Sequence, residues 1–174
     1  MSEDGDPPAI TVAPFTPADE DGVLGFILAI QNGEFGIAIS ADQQPDLRAV
    51  PQFYQSGAGG FWVARCGSDI VGTIGLKDIG NAEAALRKMF VAATYRGAAF
   101  AVAPRLLRTL MDHAVRSGTR RIFLGTTDKF RAAHRFYEKH GFATIAKAAL
   151  PATFPLMAVD TKFYAIELPP EPSR

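Results

Sequence analysis

With one cysteine and three histidines in 174 residues, the chain has little material for crosslinks or metal centres. The lone thiol, Cys66, excludes an internal disulfide and a cysteine-rich metal site, and no metal is implied elsewhere. Charge of one sign is missing as well: 18 Lys plus Arg balance 18 Asp plus Glu, so no global field draws the chain to nucleic acid or to an anionic membrane. No apolar run approaches the roughly twenty residues needed to span a bilayer. The acidic start MSEDGDPP has no apolar signal-peptide core, which makes the cytoplasm the expected location. No internal repeat is visible.

What is present is core. Apolar residues make up 48% of the chain and phenylalanine alone supplies 13, enough for one substantial core and too little length for two ordinary domains. One domain over residues 9–168 is expected, with flexible tails at 1–8 and 169–174. Ile10 to Phe15 reads as a first strand, Asp19 as the cap of a helix through Ile30, and Asp46 as the cap of a second helix from Leu47 to Tyr54. FWVARCGSDIVGTIGLKDI reads as a hairpin turning at Gly67-Ser68-Asp69, followed by a strand over Ala84–Val91. Cys66 falls in that hairpin and reads as a small strand residue, not a nucleophile.

Residues 86 to 142 carry most of the functional information. Met89-Phe90-Val91 ends a buried strand, and Val102, Leu106, Leu107 and Leu110 recur at helical spacing, so the turn lies at Tyr95–Ala101. Small residues there (Gly97, Ala98, Ala99, Ala101, Ala103) let backbone N–H groups approach a ligand, and the following helix aims its positive end at the same place. An anion suits that arrangement, and Arg96 adds a planar fork matched to phosphate oxygens. Pro104 fits the first helical turn. Downstream, RRIFLGTT (120–127) reads as another buried strand and Phe130–His140 as a helix closed by Gly141. Two strands joined through a helix imply a parallel pair within an otherwise antiparallel sheet, an α/β architecture.

These residues resemble the GNAT superfamily of acetyl-CoA-dependent N-acetyltransferases over Ile70–Phe142. In that family R/Q-x-x-G-x-G/A joins the fourth strand to the next helix and holds the coenzyme A pyrophosphate. Arg96, Gly97 and Ala101 lie in the matching segment, and Tyr137-Glu138-Lys139-His140-Gly141-Phe142 resembles the later Tyr-Glu-Lys-x-Gly-Phe signature. Counting forward from Arg96 puts Ala99 and Ala101 at the glycine positions. Counting back from Leu106-Leu107 selects Ala101-Val102-Ala103, and this register is favoured because it keeps the apolar helix face on the sheet. The resemblance implies a mixed, mostly antiparallel sheet whose central parallel strands splay, with helices on both faces. It implies cofactor contacts from Met89, Phe90, Val91, Arg96, Gly97, Ala98, Ala99, Phe100, Ala101, Val102 and Ala103; Lys129 and Arg131, following the second parallel strand, are placed to meet phosphates, with solvated loop charge as the simpler alternative. Pairing of two copies is also implied as a possibility.

Acetyl transfer to an amine needs a free lone pair, a polarised carbonyl and a protonated leaving thiolate. The resemblance implies a strand N–H near Phe90 or Val91 for the carbonyl and Tyr137 as general acid. A phenol near pKa 10 lies above a thiol near 8.5 and can donate to it. Glu34, in QNGEFGI among apolar residues, is the first candidate base and Glu83 the second; a solvated surface carboxylate is the plain alternative for both. Arg87 and Lys88 alternate on the strand, so one of the two is expected to face the active-site side, where it would grip a substrate carboxylate or simply form a salt bridge. His113 and His134 read as helix-face residues and His140 as a helix-end cation. A further strand is expected over Ala143–Ala149 and a last one over Met157–Leu168, with residues 150–164 expected to fold over the acceptor site. The expected activity is acetyl transfer from acetyl-CoA to a primary amine of a small molecule or peptide. The alternatives are a catalytically silent acyl-CoA sensor and a purely structural interaction domain.

Overall fold

The computed structural model describes residues 9–170. The tail expected at 1–8, and its counterpart from 171 onward, lie outside the described residues; Pro169 and Pro170 follow the last strand without regular structure. Among the described residues seven strands form one sheet: β1 (Ile10–Pro14), β2 (Gly60–Cys66), β3 (Asp69–Gly80), β4 (Glu83–Val91), β5 (Arg121–Thr126), β6 (Ala143–Ile145) and β7 (Lys162–Glu167), in the order β1-β2-β3-β4-β5-β7-β6. Every neighbouring pair is antiparallel except β4–β5. That exception follows from the chain path, because a helix crossing between two strands returns the chain in its original direction.

The sheet is covered on both faces. Helix α1 (Glu20–Leu28) and the short α2 (Val50–Phe53) pack with Phe15, Phe61 and Val63 on one side. Helix α3 (Val102–Arg116) lays Val102, Leu106, Leu107, Leu110 and Ala114 against the other side, joined by Tyr137 of α4 (Arg131–Lys139). Each fully buried aliphatic side chain in that stripe is worth roughly 1.5–3 kcal/mol. Gly72 on β3 allows the close seat of α3: a Cβ there would come within 2.9 Å of Leu106 and 3.0 Å of Val102.

Four elements differ from the sequence expectation, each for a local reason. Helix α1 does not stop at Ile30 but widens into a π turn over Ala29–Glu34, with Phe35 N–H reaching back to Ile30 C=O at 3.1 Å. The helix expected over Leu47–Tyr54 is broken at Ala49 into a 3-10 turn, Pro45–Arg48, and the single turn of α2. Asp46 caps neither; its carboxylate turns inward to the Tyr54 hydroxyl. The strand expected over Ala143–Ala149 ends at Ile145. Finally, β7 begins at Lys162, because Asp160 closes a turn on Met157: its carboxylate accepts the Met157 N–H at 3.1 Å and its own N–H donates to the Met157 carbonyl at 3.0 Å.

Candidate active site

Strands β4 and β5 pair over only three positions, Glu83↔Arg121 to Ala85↔Phe123, and then part. The gap opens into a cavity of about 870 Å³, walled by the π turn, the second half of β4, the turn before α3, the end of β5, the start of α4 and residues 154–160. Six Lys or Arg side chains line it (Arg87, Lys88, Arg96, Lys129, Arg131, Lys139) against two carboxylates, Glu34 and Asp160. In a chain whose total charge is balanced, this local cationic excess marks a place for an anionic guest.

A bulge shapes the β4 wall. Thr73 pairs with Phe90 but Gly75 pairs with Arg87, so two steps on β3 match three on β4. The extra residue sits beside Lys88, whose φ of 55° is left-handed and whose carbonyl accepts the Thr73 hydroxyl at 2.7 Å. A bulge places two consecutive side chains on the same face. Strict alternation allowed only one of Arg87 and Lys88 to face the site, yet both line the cavity. Met89, Phe90 and Val91 continue along the same wall.

At the turn before α3, backbone conformation does what side chains do not. Ala101 is the N-cap of α3 and offers no oxygen to the first helical N–H groups, which stay available to an anion. Its φ of 50° is left-handed, a conformation that favours glycine; it belongs to both readings of the motif. Gly97, at φ 104°, supplies the other sharp turn. Gly97, Ala98, Ala101 and Ala103 line the cavity, as do Arg96 and Lys129. Ala99, Phe100 and Val102 do not: Val102 is buried in the core and Phe100 packs on Tyr95, with ring centroids 4.9 Å apart. These residues fit a pyrophosphate cradle built from main chain and flanking cations.

Glu34, the first candidate base, and Arg96, the expected phosphate contact, meet each other. Both carboxylate oxygens of Glu34 are engaged by Arg96, the second at 2.8 Å from Nη2, while Arg96 Nε donates to the Val91 carbonyl at 2.9 Å. In this arrangement both oxygens of Glu34 hold the guanidinium, each through one contact. Glu83, the second candidate base, lies outside the cavity, at the closed end of the β4–β5 seam and 3.6 Å from Arg121. Tyr137 is buried to 5% exposure in the cavity wall, and its hydroxyl bonds to none of the described residues. Burial, assisted by Tyr164, pushes its phenol well above the usual 10 or so, so it keeps its proton throughout the neutral range.

Opposite the cradle is a buried polar corner whose membership the sequence did not reveal. Tyr54 donates its hydroxyl to Asp46 at 2.5 Å and accepts from Arg87 Nε at 3.2 Å; Arg87 Nη1 donates to the Pro155 carbonyl at 2.7 Å. Lys88 Nζ donates to Gln44 Oε1 at 2.6 Å, and Gln44 is locked to Gln31 by two reciprocal amide bonds of 2.9 and 3.0 Å. Burial lowers the Lys88 ammonium to about 8, with Asp46 only partly offsetting it. Burial raises the Asp160 carboxyl above its usual range. Residues 154–160 therefore do reach the cavity, as Phe154, Met157, Val159 and Asp160. His113, His134 and His140 all contact backbone carbonyls at 2.8–3.2 Å. No sequence signal marked Gln31, Gln44 and Tyr54, since uncharged residues in irregular segments look alike whether exposed or buried.

Comparison with known proteins agrees with this geometry. The model of the acetyltransferase (GNAT) family matches residues 27–142. A crystal structure of a GNAT-family acetyltransferase from Staphylococcus aureus Mu50 is 38% identical, covering 92% of this chain and 100% of its own, with a TM-score of 0.89. An acetyltransferase from Streptococcus agalactiae is 28% identical over 92% of this chain and 99% of its own, TM-score 0.86. The N-acetylaspartate synthetase of Xenopus tropicalis is 37% identical over 101 residues, 56% of this chain; the matched part is only 36% of that protein. A family match of that span, with a solved relative aligned along its whole length, makes this chain a member of the GNAT acetyltransferase family.

Proposed function

We propose that the chain transfers the acetyl group of acetyl-CoA directly to a primary amine, with no covalent enzyme intermediate. The observation that carries this reading is the cavity between the parted strands, with the uncapped start of α3 and the Tyr137 phenol both on its wall. Acetyl-CoA supplies the acetyl group already activated as a thioester. Gly97, Ala98 and Ala103 bring main-chain N–H groups to its pyrophosphate, Ala101 turns the chain between them, and Arg96 and Lys129 add charge. The β4 wall beyond the bulge, at Phe90 or Val91, offers a backbone N–H to the carbonyl on which negative charge develops.

Tyr137 serves the departing sulfur. A phenol held well above 10 donates a strong hydrogen bond to a thiolate whose own conjugate acid lies near 8.5, and stabilises it more than it surrenders a proton. Glu34 takes up a proton from the amine most readily once Arg96 turns from it to phosphate, so cofactor binding would loosen the base.

The engaged Glu34 also supports a second reading, a domain that binds acyl-CoA without turnover. Thiol release from acetyl-CoA over a panel of amines separates the two. Amine-dependent release is expected; tight acetyl-CoA binding with no release from any amine would favour the sensor, and no binding would remove both.

A further inference from the structure

We propose that Lys88 and Arg87 form a carboxylate-binding subsite, so that the preferred acceptor is an amine that also carries a carboxylate. The inference rests on the transferase reading above and names its substrate class.

The bulge turns two consecutive cations into the same cavity wall, and neither finds a close anionic partner there. The nearest carboxylate oxygen to Lys88 Nζ is Asp46 Oδ2 at 3.8 Å, and the same oxygen lies 4.0 Å from Arg87 Nη2. It is already committed to the Tyr54 hydroxyl at 2.5 Å. An ammonium has three donors and a guanidinium five. Lys88 uses one, on the neutral amide of Gln44, and Arg87 uses two, on Tyr54 and Pro155. The remaining five donors have no hydrogen-bond acceptor among the described residues.

The Lys88 side chain is only 3% and that of Arg87 only 11% exposed, so these donors open onto the cavity and little else. Buried cations are ordinarily paired, and this corner encloses positive charge with most of its hydrogen-bonding capacity unspent. The fourth charged group facing it, Asp160, is one whose burial favours the neutral acid. A ligand carboxylate fits this corner in both charge and donor count. The lowered Lys88 ammonium is what an enclosed cation awaiting such a partner should display. The Gln31–Gln44 amide pair holds Lys88 in direction, making it a specificity-determining residue.

The test uses matched acceptors: amino acids against their amides, and ω-amino acids against the corresponding alkylamines. Thiol release is measured for each, along with calorimetric binding of each acceptor to the protein without acetyl-CoA. Wild type should prefer the carboxylated member by tenfold or more in kcat/KM. Lys88→Gln should erase most of that preference by raising acceptor KM at least tenfold, with KM for acetyl-CoA unchanged. Lys88→Arg should restore it, which a purely structural or a proton-accepting lysine would not allow. Equal rates for acids and amides in wild type, or equal losses for both in Lys88→Gln, would overturn the subsite. If no amine is acetylated at all, binding decides. Carboxylate-dependent binding lost in Lys88→Gln would keep the subsite while the transferase reading falls, and binding indifferent to the carboxylate would remove the subsite.

Discussion

Arg96 and Glu34 form a close two-pronged ion pair while keeping 37% and 32% of their side chains in solvent, whereas Lys88 and Arg87, nearly enclosed, come no nearer than 3.8 and 4.0 Å to the carboxylate they share. Both clusters line one cavity, yet geometry and value run in opposite directions. An exposed pair is cheap to make and cheap to open, because water takes over each partner's solvation. An enclosed cluster is poorly replaced by anything once a member is removed. The exposed pair is thus suited to exchange, as the proposed turn of Arg96 to phosphate requires, and the buried corner to a fixed frame.

Removing the shared anion tests that contrast most severely. Asp46→Ala should cost about 3–5 kcal/mol, since it takes the nearest shared counter-charge from two buried cations, and lower Tm by about 10 °C. A loss below about 1 kcal/mol by thermal unfolding would put the corner on a par with an exposed pair. Next in size is the pH dependence of Lys88. Its folded value near 8 lies below the unfolded 10.5, so between these the unfolded chain binds the extra proton and stability rises with pH. The buried tyrosines act with the opposite sign, but only above their unfolded value of about 10. Wild type should therefore gain about 2 kcal/mol from pH 8 to 10 relative to Lys88→Gln, measured by urea midpoints; parallel profiles would show the ammonium to be well solvated.

Tyr137→Phe should lower kcat by about 10- to 100-fold, the worth of one hydrogen bond to a charged oxygen or sulfur, with KM for acetyl-CoA and Tm nearly unchanged. An unaltered kcat would take the phenol out of the chemistry. At the exposed cluster, Arg96→Ala should weaken coenzyme A binding about tenfold, as loss of a bidentate phosphate contact does. Glu34→Gln, which frees Arg96, should tighten it a few-fold and cost under ~1 kcal/mol of stability. Weaker cofactor binding in Glu34→Gln would mean that the pair aids the bound state and does not compete with it. The smallest effect is expected at Ala101→Gly, where relief of a left-handed alanine should add about 0.5–1 kcal/mol by thermal unfolding.

Much of the framework was legible because it rests on periodicity. The apolar spacing of Val102, Leu106, Leu107 and Leu110 placed α3 on the sheet, and the two strands flanking it forced a parallel pair. The cradle was legible in part, because a run of small residues beside a cation and a helix start leaves main-chain N–H groups uncovered. What escaped was everything that depends on a departure from regularity. The Lys88 bulge has no sequence mark, so strict alternation gave one inward cation where there are two. The encounter of Glu34 with Arg96 spans 62 positions and depends on a π turn that no local propensity announces. Asp46 looked like a helix cap because cap residues and buried acids are the same residue types.

The short β4–β5 seam has a consequence for how freely this sequence can change. Beyond the third residue pair, each strand presents an edge that no neighbouring strand covers, so the cavity is lined on two sides by peptide groups. Peptide groups are the same whichever amino acid carries them. A partly buried position such as Met89 can therefore change its side chain, and an alanine can stand at the left-handed position before α3, while the proposed hold on an extended guest survives. That hold depends on the gap more strictly than on the letters that border it.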